Sequence, residues 1–297
     1  MDIEHQLNPQ DESRARIRIE GLRQDLRILH LTDSHMVEGD DRDPEAADEV
    51  KSAGARFATR TPDNVPPRDV FAATLDQGKQ EGLDAAVMTG DIIHFPAYRG
   101  LEIINEGLTD LDVPYLYTLG NHDWHFPYLP WTKETRQAHY PRFHGLTGDD
   151  PACQSLVIGG VRLIAIDNSN YQVSNRQVEF LRQELAHGEP SLLFIHIPLA
   201  IESLTDPVMD VWKAPIMMAA EQGWTEQTRE LWKVPGNEEA TLAMQELLVT
   251  GDSANLAGIF CGHVHFAHVD AYREGRYQYV TAPGFGGGSR VIELTAG

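Results

Sequence analysis

Apolar and polar positions change period in blocks along this chain. Arg14 to Glu20 alternates charged and apolar residues, the signature of a half-buried strand. Leu26 to Thr32 is a nearly continuous apolar run, a core strand that ends at Asp33. The same device recurs. Leu83–Met88 runs into Gly90-Asp91, Val113–Leu119 into Gly120-Asn121, Ser191–Ile195 into His196, and Leu256–Cys261 into Gly262-His263. Between these runs, segments 69–82, 98–111, 175–187 and 238–248 carry apolar residues at helical spacing, as in Leu101, Ile104, Leu108 and Leu111. Ser174 is the predicted N-cap of the third. Ser155–Ile158 and Val161–Ile166 predict a hairpin about Gly159-Gly160. Strands are expected at Phe266–Tyr272, Tyr277–Ala282 and Arg290–Leu294, with a tight glycine turn at 284–288 near the site. Strands that alternate with helices place the chain in the α/β (α+β) class.

Other stretches break the pattern. Residues 1–13 read as a polar tail. Residues 37–68 are strongly acidic and closed by Pro62, Pro66 and Pro67, so they predict a solvated face with a short helix from about Pro44. Residues 123–150 are irregular and aromatic. Residues 199–237 hold helical fragments cut by Pro207, Pro215 and Pro235, and read as an insertion over the site. There is no internal repeat or long linker, so 1–297 is read as one domain.

Composition narrows the classes. A hydrophobic content of 41% suits a soluble globular core, and no apolar run approaches a membrane span. The charged N-terminus has no apolar signal core, and a cytoplasmic location is expected. Two cysteines, Cys153 and Cys261, are too few for a disulfide framework and read as buried thiols. A net charge of −21 argues against nucleic acid as partner, because that affinity leans on Lys and Arg. It does not exclude small anions, since bound metal ions reverse the local field.

The polar residues that end the strands carry the chemistry. Strand ends in one sheet converge on one edge, so Asp33, His35, Asp91, Asn121, His122, His196, His263 and His265 can share one site. Imidazole, carboxylate and amide oxygen suit borderline divalent metals such as Mn, Fe or Zn. The set is too large for one tetrahedral ion and suits two ions roughly 3.5–4 Å apart, a spacing that serves in-line phosphoryl displacement.

The order Asp33-x-His35, Gly90-Asp91, Gly120-Asn121-His122-Asp123, His196 and Gly262-His263-Val264-His265 resembles the calcineurin-like metallophosphoesterase superfamily. The resemblance spans residues 33–265. It implies a four-layer α/β/β/α sandwich of two mixed sheets flanked by helices, here with a helical insertion. It implies one ion held by Asp33, His35, Asp91 and His265, and a second by Asp91, Asn121, His196 and His263, with Asp91 bridging. A hydroxide shared by the ions would attack phosphorus. His122 would donate a hydrogen bond or proton to the phosphate or leaving oxygen, with Asp123 orienting it. The purple, tyrosinate-ligated branch carries tyrosine three residues after the bridging aspartate. Here that residue is His94, which argues against a purple centre.

Around this set, His94, His125 and Trp124 are candidate substrate contacts. The remaining histidines are expected to be solvated or structurally bonded. The tryptophans fall after the Asn-His motif (Trp124, Trp131) and in the insertion (Trp212, Trp224, Trp232). They form either an aromatic wall that selects the leaving group or a local core or oligomer contact. The function expected is hydrolysis of small phosphate esters, a phosphodiesterase first and a phosphomonoesterase second. A nuclease is disfavoured by charge, and a non-catalytic scaffold by the completeness of the ligand set.

Overall fold

The computed structural model describes residues 1–250 and 253–297. β1 (Ile3–Gln6), β2 (Arg14–Ile19) and β3 (Leu26–Leu31) come first. They are followed by α1 (Ala47–Ala58), α2 (Pro67–Gln80), β4 (Ala85–Met88), α3 (Tyr98–Leu111) and β5 (Tyr115–Tyr117). Short helices α4 (Lys133–His139) and α5 (His144–Thr147) precede the hairpin of β6 (Cys153–Ile158) and β7 (Val161–Ile166). Then come α6 (Asn175–Ala186), β8 (Ser191–Phe194), α7 (Glu202–Trp212), α8 (Glu226–Trp232) and α9 (Glu239–Val249). The chain closes with β9 (Leu256–Cys261), β10 (His268–Arg273), β11 (Arg276–Val280) and β12 (Arg290–Ala296).

The strands form two six-stranded mixed sheets, ordered β1-β2-β12-β3-β4-β5 and β10-β11-β9-β8-β7-β6. β3, β4 and β5 run parallel, as do β7, β8 and β9. Strands buried on both faces read as continuous apolar runs, and their period of two sorts the side chains. Ile28, Ala85 and Val87 meet Leu163, Leu192 and Phe194 between the sheets. Leu29, Leu31 and Met88 face Phe71, Leu75 and Ile104 of α2 and α3. Ile164, Leu193 and Ile195 face Val178, Leu181 and Met244 of α6 and α9. The result is a helix, sheet, sheet, helix sandwich, as the resemblance implies. The β6–β7 turn uses Gly159 and Gly160 at φ 56° and 87°, the positive pair a type I′ hairpin needs. Ser174 caps α6 in a reciprocal box with Gln177.

Three expectations change. Residues 1–13 are not all tail: β1 pairs antiparallel with β2, and the His5 ring meets the Tyr279 hydroxyl at 2.8 Å. A four-residue strand is too short for its alternation to stand out. The acidic segment 37–68 does more than face solvent: α1 buries Ala53 and Phe57. Residues 123–150, read as irregular, contain α4 and α5. Both cysteines are buried free thiols. Among the described residues, no helix is long and apolar enough to cross a membrane.

His30 lies between the sheets, with its ring nitrogens 2.7 and 2.8 Å from the hydroxyls of Thr89 and Thr281. Burial, helped by the nearby Arg290 charge, pushes its pKa down to about 3 from an ordinary 6.5. The unfolded chain therefore binds the extra proton first. The stability His30 contributes is complete above about pH 6.5 and is lost as pH falls toward 3, at about 1.4 kcal/mol per pH unit. Urea midpoints measured at pH 7 and pH 5 should fall with acid, and His30→Gln should flatten that slope. An equal slope in the variant would remove His30 from the account.

Candidate metal centre

The site forms where the carboxyl ends of both sheets' parallel strands meet. Beyond β3 and β4 the ladder continues: Thr89 N–H donates to Leu31 O, Asp33 N–H to Gly90 O and His35 N–H to Asp91 O. This register sets Asp33 and His35 beside Asp91. In the second sheet, Ile195 N–H donates to Phe260 O and Gly262 N–H to His196 O, which pairs His196 with His263. The sheets are tied across the site by His263 N–H to Asp33 Oδ2 at 2.9 Å and by His196 Nδ1 to Thr89 O at 2.7 Å.

The local backbone is unusual. Asp33, His35, Asp91, His263 and His265 all have positive φ, between 45° and 71°. Such conformations cost about 1–3 kcal/mol each in non-glycine residues and persist where the surroundings over-determine them. The motif glycines permit the crowding. A Cβ on Gly120 would sit 2.2 Å from Asp91 Oδ1, and one on Gly262 2.0 Å from Thr32 Oγ1.

The expected donors fall into two clusters, Asp33 with His35 and the half-buried His265, and the buried Asp91 with His196 and His263, while His35 also groups with His94 and His122. His265 Nε2 is 3.3 Å from Asp33 Oδ1 and 3.1 Å from His35 Nε2. In the second cluster His196 Nε2 is 3.3 Å from Asp91 Oδ2 and 3.2 Å from Asn121 Oδ1. Asp91 Oδ2 is also 3.7 Å from His35 Nε2, so this carboxylate touches both clusters. Adjacent donors about 2.0–2.2 Å from one ion lie about 3–3.6 Å from each other.

The donor set fits divalent cations. Asp33 Oδ1 is buried with no hydrogen-bond partner. Burial drives His35 and His263 well below the ordinary histidine range, so they are neutral ligands. Burial opposes charge on Asp33 and Asp91, yet the facing imidazoles hold both below the usual carboxylate range. Burial likewise opposes charge on His196, but the Asp91 carboxylate outweighs it and holds the ring up to about 9. A proton there balances anions that a metal ion balances better. With a metal ion in place of that proton, donation from His196 Nδ1 to Thr89 O would leave Nε2, on the side of Asp91 and Asn121, as the ligating nitrogen, the arrangement expected of a metal-ligating imidazole.

The family model for calcineurin-like phosphoesterases matches residues 26–267. The chain belongs to that family. Its members are metal-dependent phosphoric ester hydrolases with a dinuclear centre. No curated protein matches this phosphoesterase in sequence. Among solved structures it is similar to a dimetal phosphatase from Danio rerio, with a TM-score of 0.52, 14% identity and 88% of each chain covered. It is also similar to a purple acid phosphatase from yellow lupin (Lupinus luteus) seeds, with a TM-score of 0.55 and 13% identity. That match covers 92% of this chain and 47% of the other. At such identities the likeness is one of fold.

All seven residues expected to hold metal converge in the phosphoesterase. The residues around them partly do not behave as expected. Asp123 does not orient His122. Its Oδ2 accepts from Gly120 and Asp91 N–H and its Oδ1 from Ile93 N–H, so it braces the loops beneath the donors. Burial and the neighbouring Asp91 charge push its pKa up to about 8. Trp124 is not a substrate contact: it is 1% exposed and packs in the core outside the first sheet. His94 is buried behind the ligands, 3.1 Å from His35 Nδ1 and stacked on His122 with centroids 4.2 Å apart. His122 and His125 both line an open cavity of about 470 Å³ beside Asn121.

Other neighbours carried no signal in the sequence. The Tyr171 hydroxyl lies 3.0 Å from His263 Nε2. Asn168 Oδ1 accepts from His196 and Ile197 N–H. Phe57 of α1 stacks on His35 at 4.6 Å. Two residues of segment 199–237 lie beside the donors. Trp212 donates to Val264 O at 2.8 Å and packs 5.3 Å from the His265 ring, while Trp232 lies 6.5 Å from His263. Both tryptophans also pack on the core outside the second sheet.

Proposed function

We propose that this phosphoesterase hydrolyses small phosphodiesters at a two-metal centre. One ion is held by Asp33, His35, Asp91 and His265, and the other by Asp91, Asn121, His196 and His263. The observation that carries the reading is the shared position of Asp91 Oδ2, which faces His196 of one cluster and His35 of the other. Mn, Fe or Zn suits this mixture of imidazole, carboxylate and amide oxygen. Two such ions supply an activated water and neutralise charge on the phosphoryl oxygens.

The chain's own groups do the rest. Asn121 and His122 border the cavity, so a phosphate at the donors meets the His122 ring. Burial lowers the His122 pKa, which makes the neutral ring a hydrogen-bond donor to a phosphoryl or leaving oxygen. Its N–H to Asp91 Oδ1, at 2.7 Å, fixes that residue's backbone. The diester preference rests on the cavity beside His122, whose walls offer space for a second ester group.

Initial rates on bis(p-nitrophenyl) phosphate and p-nitrophenyl phosphate, with protein stripped and reloaded with Mn²⁺, test this directly. The diester should be the faster substrate. A faster monoester would make the protein a phosphomonoesterase, and no turnover of any ester would end the hydrolytic reading. His122→Ala should lower kcat by about 10²–10⁴-fold with metal content intact, the range of a positioned donor. An unchanged kcat would remove His122 from the chemistry.

A further inference from the structure

The cavity beside His122 is asymmetric in chemistry. Trp131 borders it from the segment after the Asn-His motif, and Leu231, Trp232 and Lys233 border it from the end of α8. Leu231 is 70% exposed, a large apolar side chain left open at its edge. A second, shallower depression of about 670 Å³ shares Trp131 and Lys233 with the first and continues outward to Trp224 and Arg229. The two form one groove that starts at the metal donors and leads away across the insertion.

In its inner cavity the charge runs against that of the chain, with Lys233 and no carboxylate in the lining. Net charge is −21, and many cations elsewhere are paired, as Lys133 is with Glu238 at 2.6 Å. Lys233, the cation bordering the inner cavity, has no carboxylate within 4.0 Å among the described residues. Arg229 is held over the Trp224 ring at 5.3 Å and donates to Val234 O. Glu226 and Glu230 border only the outer depression. An aromatic and apolar surface with one unpaired cation near the reacting centre matches a flat apolar group that bears an anion.

We propose that this groove holds the leaving group of the ester, and that Lys233 selects leaving groups combining a flat apolar body with a carboxylate or second phosphate. The proposal rests on the phosphoesterase reading for the position of the phosphate. It adds the class of alcohol that the phosphate is attached to.

Binding tests it without turnover. Phenylphosphonate and 4-carboxyphenylphosphonate, which cannot be hydrolysed, are titrated by calorimetry into Mn²⁺-loaded protein. The carboxylated probe should bind about tenfold more tightly, a difference of about 1.4 kcal/mol. Lys233→Gln should reduce that preference to about twofold or less and leave phenylphosphonate affinity nearly unchanged, as expected when only one charge pair is lost. Trp131→Leu should weaken both probes. Lack of preference in the unmodified protein, a preference that survives Lys233→Gln, or failure of both probes to bind would overturn the assignment. The two readings fail separately. Expected binding without turnover of any ester would remove the hydrolase and keep the groove, whereas turnover with a Lys233-independent preference would do the reverse.

Discussion

Asp91→Asn should lower kcat/KM by at least about 10³-fold, a loss of about 4 kcal/mol of transition-state stabilisation. The substitution is conservative in shape. An amide oxygen at Oδ1 still accepts the His122 N–H that the carboxylate accepts at 2.7 Å. What disappears is the anionic Oδ2, 3.3 Å from His196 Nε2 and 3.7 Å from His35 Nε2. The amide nitrogen that replaces Oδ2 is a hydrogen-bond donor with no lone pair to offer a cation. Elemental analysis of the purified variant should therefore find one ion per chain or fewer where the unmodified protein should hold two. Retention of both ions together with full activity would show that Asp91 bridges nothing. A His122→Ala protein makes the control, since it should lose rate and keep its metal.

Chelation should have the second largest effect, and it should reach stability as well as activity. Asp33 and Asp91 are buried anions, and His35 and His263 are neutral rings. Without cations the site keeps these carboxylates close together in a dry setting, with the His196 proton as partial compensation. Ions that bind only the folded state at a concentration of about 100 Kd contribute about 2.7 kcal/mol per site. For a chain of this size each kcal/mol is worth about 2–4 °C. With two sites, removing the metal should thus lower Tm by about 10–20 °C in calorimetry, and Mn²⁺ should restore it. A Tm unaffected by chelator would mean that the donors are balanced without metal.

The metal donors were legible in the sequence for a physical reason. A parallel strand buried on both faces must be apolar throughout, so the polar residue that ends it stands out. Parallel strands also bring their carboxyl ends to one edge, so strand-final residues of one sheet, Asp33 with Asp91 and His196 with His263, had to be neighbours once the runs were read as strands, and the packing of the two sheets then brought the pairs together. Helices α2, α3, α6 and α9 were legible from spacing, and the β6–β7 turn from its glycine pair. The match to a family motif then supplied what periodicity could not, namely which donor belongs to which ion.

What surrounds the donors was decided by tertiary structure. Trp124 follows Asp123 directly, yet one points into the core and the other is gathered in by the N–H groups of Gly120, Asp91 and Ile93. Inside a turn, adjacency in sequence does not say which way a side chain faces. Phe57, Tyr171, Trp212 and Trp232 reach the site from segments with no periodic link to the strands. Their placement depends on how α1 and the insertion dock, through apolar contacts whose partners are distant in the chain. The candidate ligands were set by the local grammar of strand and strand end. The residues that shape what the ligands act on were set by packing between loops, and packing leaves no period in a sequence.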